Sequence, residues 1–192
     1  SPEDDSVEAQ VRRLDLLLGL GRAAFARGGG GHEQPLADAF TVAKRLGDGE
    51  RMAEALLASH RGWGSVAFAA NEALVADVEA TLALLPPGDS VPRARLLTMW
   101  ATEVSADRDD LRGRALQDEA VAMARRVGDD GALLEALGAQ WATLLGHRDR
   151  AEWEAVFDEC FAVLERSGDV GQEVGFLLGR RDMLLGTGSP TE

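Results

Sequence analysis

The sequence predicts an all-α protein built as a helical-repeat solenoid, and three observations carry that prediction. Apolar residues recur at helical spacing along most of the 192 positions. No run of alternating β-branched residues marks a strand. Two short markers also return in phase along the whole chain. The first is Gly-Asp, at Gly47-Asp48, Gly88-Asp89, Gly128-Asp129 and Gly168-Asp169, with spacings of 41, 40 and 40. The second is leucine followed by a small residue, at Leu20-Gly21, Leu57-Ala58, Leu97-Thr98, Leu137-Gly138 and Leu178-Gly179, with spacings of 37, 40, 40 and 41. The offset from leucine to the next Gly-Asp is 31 in three repeats and 27 in the first. A period near 40 holding two helices is the signature of a solenoid, here of about nine antiparallel helices in roughly four and a half repeats.

Taken in order, each repeat has an A helix with the Leu-small pair and a B helix ending in Gly-Asp. In the first A helix Val11, Leu14, Leu18 and Phe25 fall on one stripe, which Leu17 and Leu20 widen. Its B helix carries Ala39, Phe40 and Ala43 and closes at "RLGDGE", where glycine takes the left-handed conformation and aspartate caps the next helix. The second pair runs from Leu57-Ala58 to Gly88-Asp89, and the third from Leu97-Thr98, through Ala120, Val121 and Ala124, to "RVGDDG". In the fourth, Leu137-Gly138 is followed by a B helix with Trp153, Phe157, Phe161 and Leu164 on one face and Val156, Cys160 and Val163 on another. That breadth is expected of a helix sandwiched between neighbours. The Leu178-Gly179 pair begins a ninth helix. The small residue of each pair has a packing reason: a longer side chain would hold the neighbouring helix away.

Composition bounds the function. With 45% apolar residues in 192, the chain is long enough to bury a core as a single domain over residues 1–192. Its one cysteine, Cys160, lies among apolar positions and is expected in that core, which fits a reducing cytoplasm or a chain indifferent to redox state. A net charge of −13, from 33 acidic and 20 basic residues, repels phosphate backbones and anionic lipid, so direct nucleic-acid or membrane binding is not expected. No apolar run approaches the ~20 residues of a membrane helix. The chain starts "SPEDDS" without methionine and stops at "GTGSPTE", and so reads as a piece of a longer protein.

Candidate chemistry is sparse. The "GGGGHEQPL" stretch from Gly28 has the glycines of a phosphate loop but neither the lysine nor the Ser/Thr that would hold phosphate and magnesium. It follows a helix, and Pro35 suits the first turn of the next, so a flexible A-to-B turn is the economical reading. His32, His60 and His147 are dispersed over separate turns and form no zinc motif. The acidic pairs Asp4-Asp5, Asp109-Asp110 and Asp129-Asp130 sit at helix starts, where carboxylates favour the helix dipole. There is no Gly-x-Ser-x-Gly elbow. The expectation is therefore no enzyme, no cofactor and no metal. Trp63, between glycines in "RGWGSVAF", either folds back over its own helix pair or serves as a surface anchor for a partner.

Two resemblances add to this reading. The "LGAQW" stretch from Leu137 to Trp141 resembles the A helix of a tetratricopeptide repeat, and the sets Ala39, Phe40, Ala43 and Ala120, Val121, Ala124 resemble its B helix. This implies a right-handed stack whose A helices line a concave groove. On that pattern the Leu-small marker turns Ser59, Arg95, Met99, Thr102, Glu135 and Arg180 towards the groove. Residues 79 to 137, above all "LLPPGDS", "RARLL" and "DEAVAMARRVGD", look like the helical-repeat region of large actinobacterial LuxR-type, ATP-dependent transcriptional regulators. The likeness extends to "LLLGLGRAAFARGGG" and "AFTVAKRLGD" before it and to "FAVLERSGD" after it. It implies an NTPase domain before the repeats, a helix-turn-helix domain after them, and an effector or protein partner bound between. A free-standing adaptor that holds a peptide or protein in its groove is the rival expectation.

Overall fold

The computed structural model describes residues 6–28, 30–59, 71–105, 111–144, 150–167 and 177, excepting the side chains of 59, 111, 141–144 and 150. Eight α-helices and no strands are found among them: α1 (Val7–Ala26), α2 (Glu33–Leu46), α3 (Gly49–Ser59), α4 (Glu72–Leu84), α5 (Val91–Val104), α6 (Leu111–Val127), α7 (Asp130–Leu144) and α8 (Arg150–Ser167). The protein is all-α. Among the described residues no helix is long and apolar enough to cross a membrane. The ninth expected helix and Trp63 lie outside the described residues.

Every helix packs on the next in sequence, and α1 also meets α3, α3 meets α5, and α5 meets α7. Two apolar clusters result. One joins Leu14 and Leu18 of α1 to Leu36, Ala39, Phe40 and Ala43 of α2, Met52 and Leu56 of α3, and Leu96 and Met99 of α5. The other joins Ala94 and Leu97 of α5 to Ala120, Val121 and Ala124 of α6, Leu133 and Leu137 of α7, and Phe157, Cys160 and Val163 of α8. Thus α5 serves both clusters with two different faces, and Leu82 and Trp100 pack against each.

Among the described residues the Gly-Asp turns form for the reasons the sequence suggests, with one exception; Gly168-Asp169 and Leu178-Gly179 lie outside the described residues. Gly47 and Gly128 have φ of 68° and 75°, the left-handed region that closes α2 and α6. Asp48 then accepts a hydrogen bond from the Arg51 amide at 3.0 Å, and Asp129 accepts one from the Ala132 amide at 2.7 Å. In "LLPPGDS" the capping role passes to Ser90, whose Oγ accepts from the Arg93 amide at 3.3 Å, while both carboxylate oxygens of Asp89 accept from Arg126. Arg93 in turn donates to the carbonyls of Leu82, Leu85 and Pro86 at 3.0–3.2 Å, satisfying the exposed end of α4. The residues of "LLPPGDS", "RARLL" and "ARRVGD" therefore lock one turn together.

Burial departs from the sequence stripes at both ends. Leu14 and Leu18 are buried, but Leu20 is 54% exposed and Val11 and Phe25 are more than a third exposed. Helix α1 packs against α2 and α3, so only a narrow strip is covered. In α7, by contrast, every residue from 132 to 139 is buried, as expected of a helix packed against α5, α6 and α8 together. Helix α8 buries its broad apolar face, including Trp153, Phe157 and Val163, in the cluster it shares with α7.

Candidate functional site

The odd-numbered helices α1, α3, α5 and α7 contact one another in series, so charged side chains on their shared face meet across helices. Asp15 and Arg22, two turns apart on α1, face Arg51 and Glu54, one turn apart on α3. Arg51 pairs with Asp15 and Arg22 with Glu54, so the two ion pairs run in opposite senses across the interface. The order of the pairs shows that α1 and α3 run in the same direction. Between these four side chains and the buried Leu18 lies a cleft of about 340 Å³. The hydrogen bond to Asp15 holds the Arg51 guanidinium firmly protonated, above its ordinary range.

Further along, Arg95 of α5 donates from Nε to Oε2 of Glu135 on α7 at 2.6 Å. The Glu135 side chain is 6% exposed and that of Arg95 43%. A buried carboxylate needs a compensating charge, and Arg95 supplies one. These two are the members of the expected groove set that the structure brings together. Thr102 is half-buried and donates its hydroxyl to the Thr98 carbonyl at 2.9 Å, a bond within its own helix. Met99 requires a correction: at 2% exposure it belongs to the core shared with α2 and α3, because α5 presents that side to the first cluster. The side chain of Ser59, and all of Arg180 and Trp63, lie outside the described residues.

The glycine-rich segment is a turn between α1 and α2, with Gly28, Gly30 and Gly31 at φ of 67°, 75° and 77°. His32 closes it, 5% exposed and edge-on to Phe25 with ring centroids 5.0 Å apart. His60 and His147 lie outside the described residues. Among those described, no three His, Cys, Asp or Glu side chains converge as metal binding would require. Cys160 is buried, and desolvation pushes its thiol up to about 12, so it is protonated and inert at neutral pH.

Sequence reasoning missed Asp15, Arg22, Arg51 and Glu54. The Leu-small marker, placed two residues back, points to Leu18, between Asp15 and Arg22, and to Ala55, just past Glu54, and so misses the charges. A usable signal was present: oppositely charged residues on consecutive A helices, about one period apart. Compared with family models, with curated proteins and with solved structures, the chain matches none.

Proposed function

We propose that the chain is the non-catalytic helical-repeat sensor and scaffold region of a LuxR-type, NTPase-containing transcriptional regulator. In this reading it is a right-handed, tetratricopeptide-like solenoid of about four and a half repeats. It works in the cytoplasm, where it binds an effector or protein partner and couples the NTPase domain to the DNA-binding domain. One observation carries the repeat part of the proposal. Eight ion pairs among the described residues join side chains 32 to 40 positions apart, about one period: Arg22–Glu54, Lys44–Asp77, Arg51–Asp15, Arg95–Glu135, Arg114–Glu152, Arg125–Glu159, Arg126–Asp89 and Arg166–Asp130. Such spacings arise when each helix pair touches the next along the stack. The regulator part rests on the resemblance of residues 79 to 137.

The test is the intact mass of the natural gene product in its own cell, followed by a transcription assay of the full-length product with the A-helix face altered. A product several times longer, with altered transcription, is the expected result. A product near the length of this chain would overturn the regulator reading and leave a free-standing adaptor. ATP hydrolysis by the purified chain that disappeared on substitution of its own residues would overturn the non-catalytic part.

A further inference from the structure

We propose that the cleft between α1 and α3 binds a small zwitterion of the α-amino acid class, an inference that rests on the sensor reading and supplies its effector. Two guanidinium and two carboxylate groups line the cleft, so its formal charge is zero. A ligand that brings one ammonium and one carboxylate can exchange partners with an internal ion pair and leave no charge stranded. A net anion or cation would strand one.

The existing pairs are poised for such exchange. Side-chain exposure is 53% for Asp15 and 33% for Arg51, and 57% for Arg22 and 33% for Glu54, so all four groups remain accessible to water. The planar guanidinium of Arg22 or Arg51 can take a carboxylate through two parallel N–H donors, and Asp15 or Glu54 can accept from an ammonium. Leu18, 1% exposed, closes the floor of the cleft. The cleft is open on one side, and its volume of about 340 Å³ is large enough to admit a single amino acid. The α5–α7 pair differs: its carboxylate, Glu135, is already buried against Arg95.

The test screens the purified 192-residue chain against each of the twenty free amino acids at millimolar concentration, by melting temperature and then by calorimetry. The proposal expects at least one to raise the melting temperature. The N-acetyl and carboxamide forms of that amino acid, each lacking one charge, should bind at least about tenfold more weakly. Arg51→Gln and Glu54→Gln should weaken binding similarly, whereas Arg114→Gln, on the α6–α8 contact, should leave it unchanged. Should Arg51→Gln fail to fold, Arg51→Lys keeps the charge, loses the two-pronged donor and should still bind more weakly.

Binding of no free amino acid, equal binding of the blocked forms, or full affinity in the variants would overturn the proposal. Its failure is separable from that of the sensor reading. A full-length regulator whose transcription responds to the altered face, yet whose repeats bind no amino acid, loses only this ligand. A natural product no longer than this chain loses the regulator role while the amino-acid site stands.

Discussion

Arg95 and Arg114 make the same kind of contact, a guanidinium to a glutamate on the helix two further along, yet the glutamates differ in burial. The Glu135 side chain is 6% exposed and that of Glu152 is 30%. Truncating Arg95 leaves a carboxylate without its guanidinium in a poorly solvated place, while Glu152 regains water. Arg95→Ala is therefore expected to cost about 1–3 kcal/mol and Arg114→Ala less than about 1 kcal/mol, measured by urea unfolding. Equal losses would mean that Glu135 draws its compensation from elsewhere. At the same scale, Cys160 predicts a loss of stability in alkali. Its thiol is raised by burial from 9.0 to about 12, so the folded chain keeps the proton that the unfolded chain releases. The stabilisation is complete below the unfolded value and declines as pH rises from about 9 towards 12. Melting temperature against pH should fall less in Cys160→Ala than in the parent over that window, and a parallel fall would remove Cys160 as a cause.

Between elements, the three residues of "GDG" at positions 47–49 do three different jobs. Gly47 takes the left-handed turn and Asp48 caps α3. Gly49 lets α3 start against the end of α4, since a Cβ there would lie 2.8–2.9 Å from the Leu84 backbone. Alanine is the better helix former, so propensity alone predicts that Gly49→Ala stabilises. Packing predicts the reverse, by about 1–3 kcal/mol, because backbone cannot swing aside as a side chain can. Asp48→Ala should cost about 1 kcal/mol through the lost cap. Asp89→Ala should cost less than Asp48→Ala, because Ser90 holds the cap there; chemical denaturation of the three variants decides. Asp89 instead pairs with Arg126, whose hydrogen bonds hold the carboxyl below its ordinary range.

For the molecule as a whole, among the described residues α7 carries the longest unbroken buried stretch and α1 has most of its residues exposed. Helix α7 is buried from 132 to 139 and touches α5, α6 and α8, whereas α1 rests on α2 and α3 and exposes Leu16 and Leu20. Opening free energy follows burial and contact. Amide hydrogen exchange should therefore be slowest over 132–139 and fastest in the first turns of α1, with α5 slow because it joins both clusters. Uniform protection from α1 to α8 would show one cooperative unit instead of graded coupling between neighbours.

Much of this was determined by the sequence alone, because it depends on local chemistry. Helical periodicity and Gly-Asp punctuation specify helices and their ends, since a left-handed glycine and a capping carboxylate act within a few residues. The B-helix sets Ala39, Phe40, Ala43 and Ala120, Val121, Ala124 are buried as their spacing implies. Tertiary structure decided the rest. Which side of α5 is interior, and so whether Met99 is core or groove, depends on α2 and α3 lying against it. Asp15 and Arg51 are 36 positions apart, and only the parallel packing of α1 on α3 turns these scattered surface charges into one cleft with Arg22 and Glu54. Ion pairing acts over a few ångströms in space, and its trace in the chain is only opposite charges about one period apart, so which of them meet was decided when the helices were set side by side.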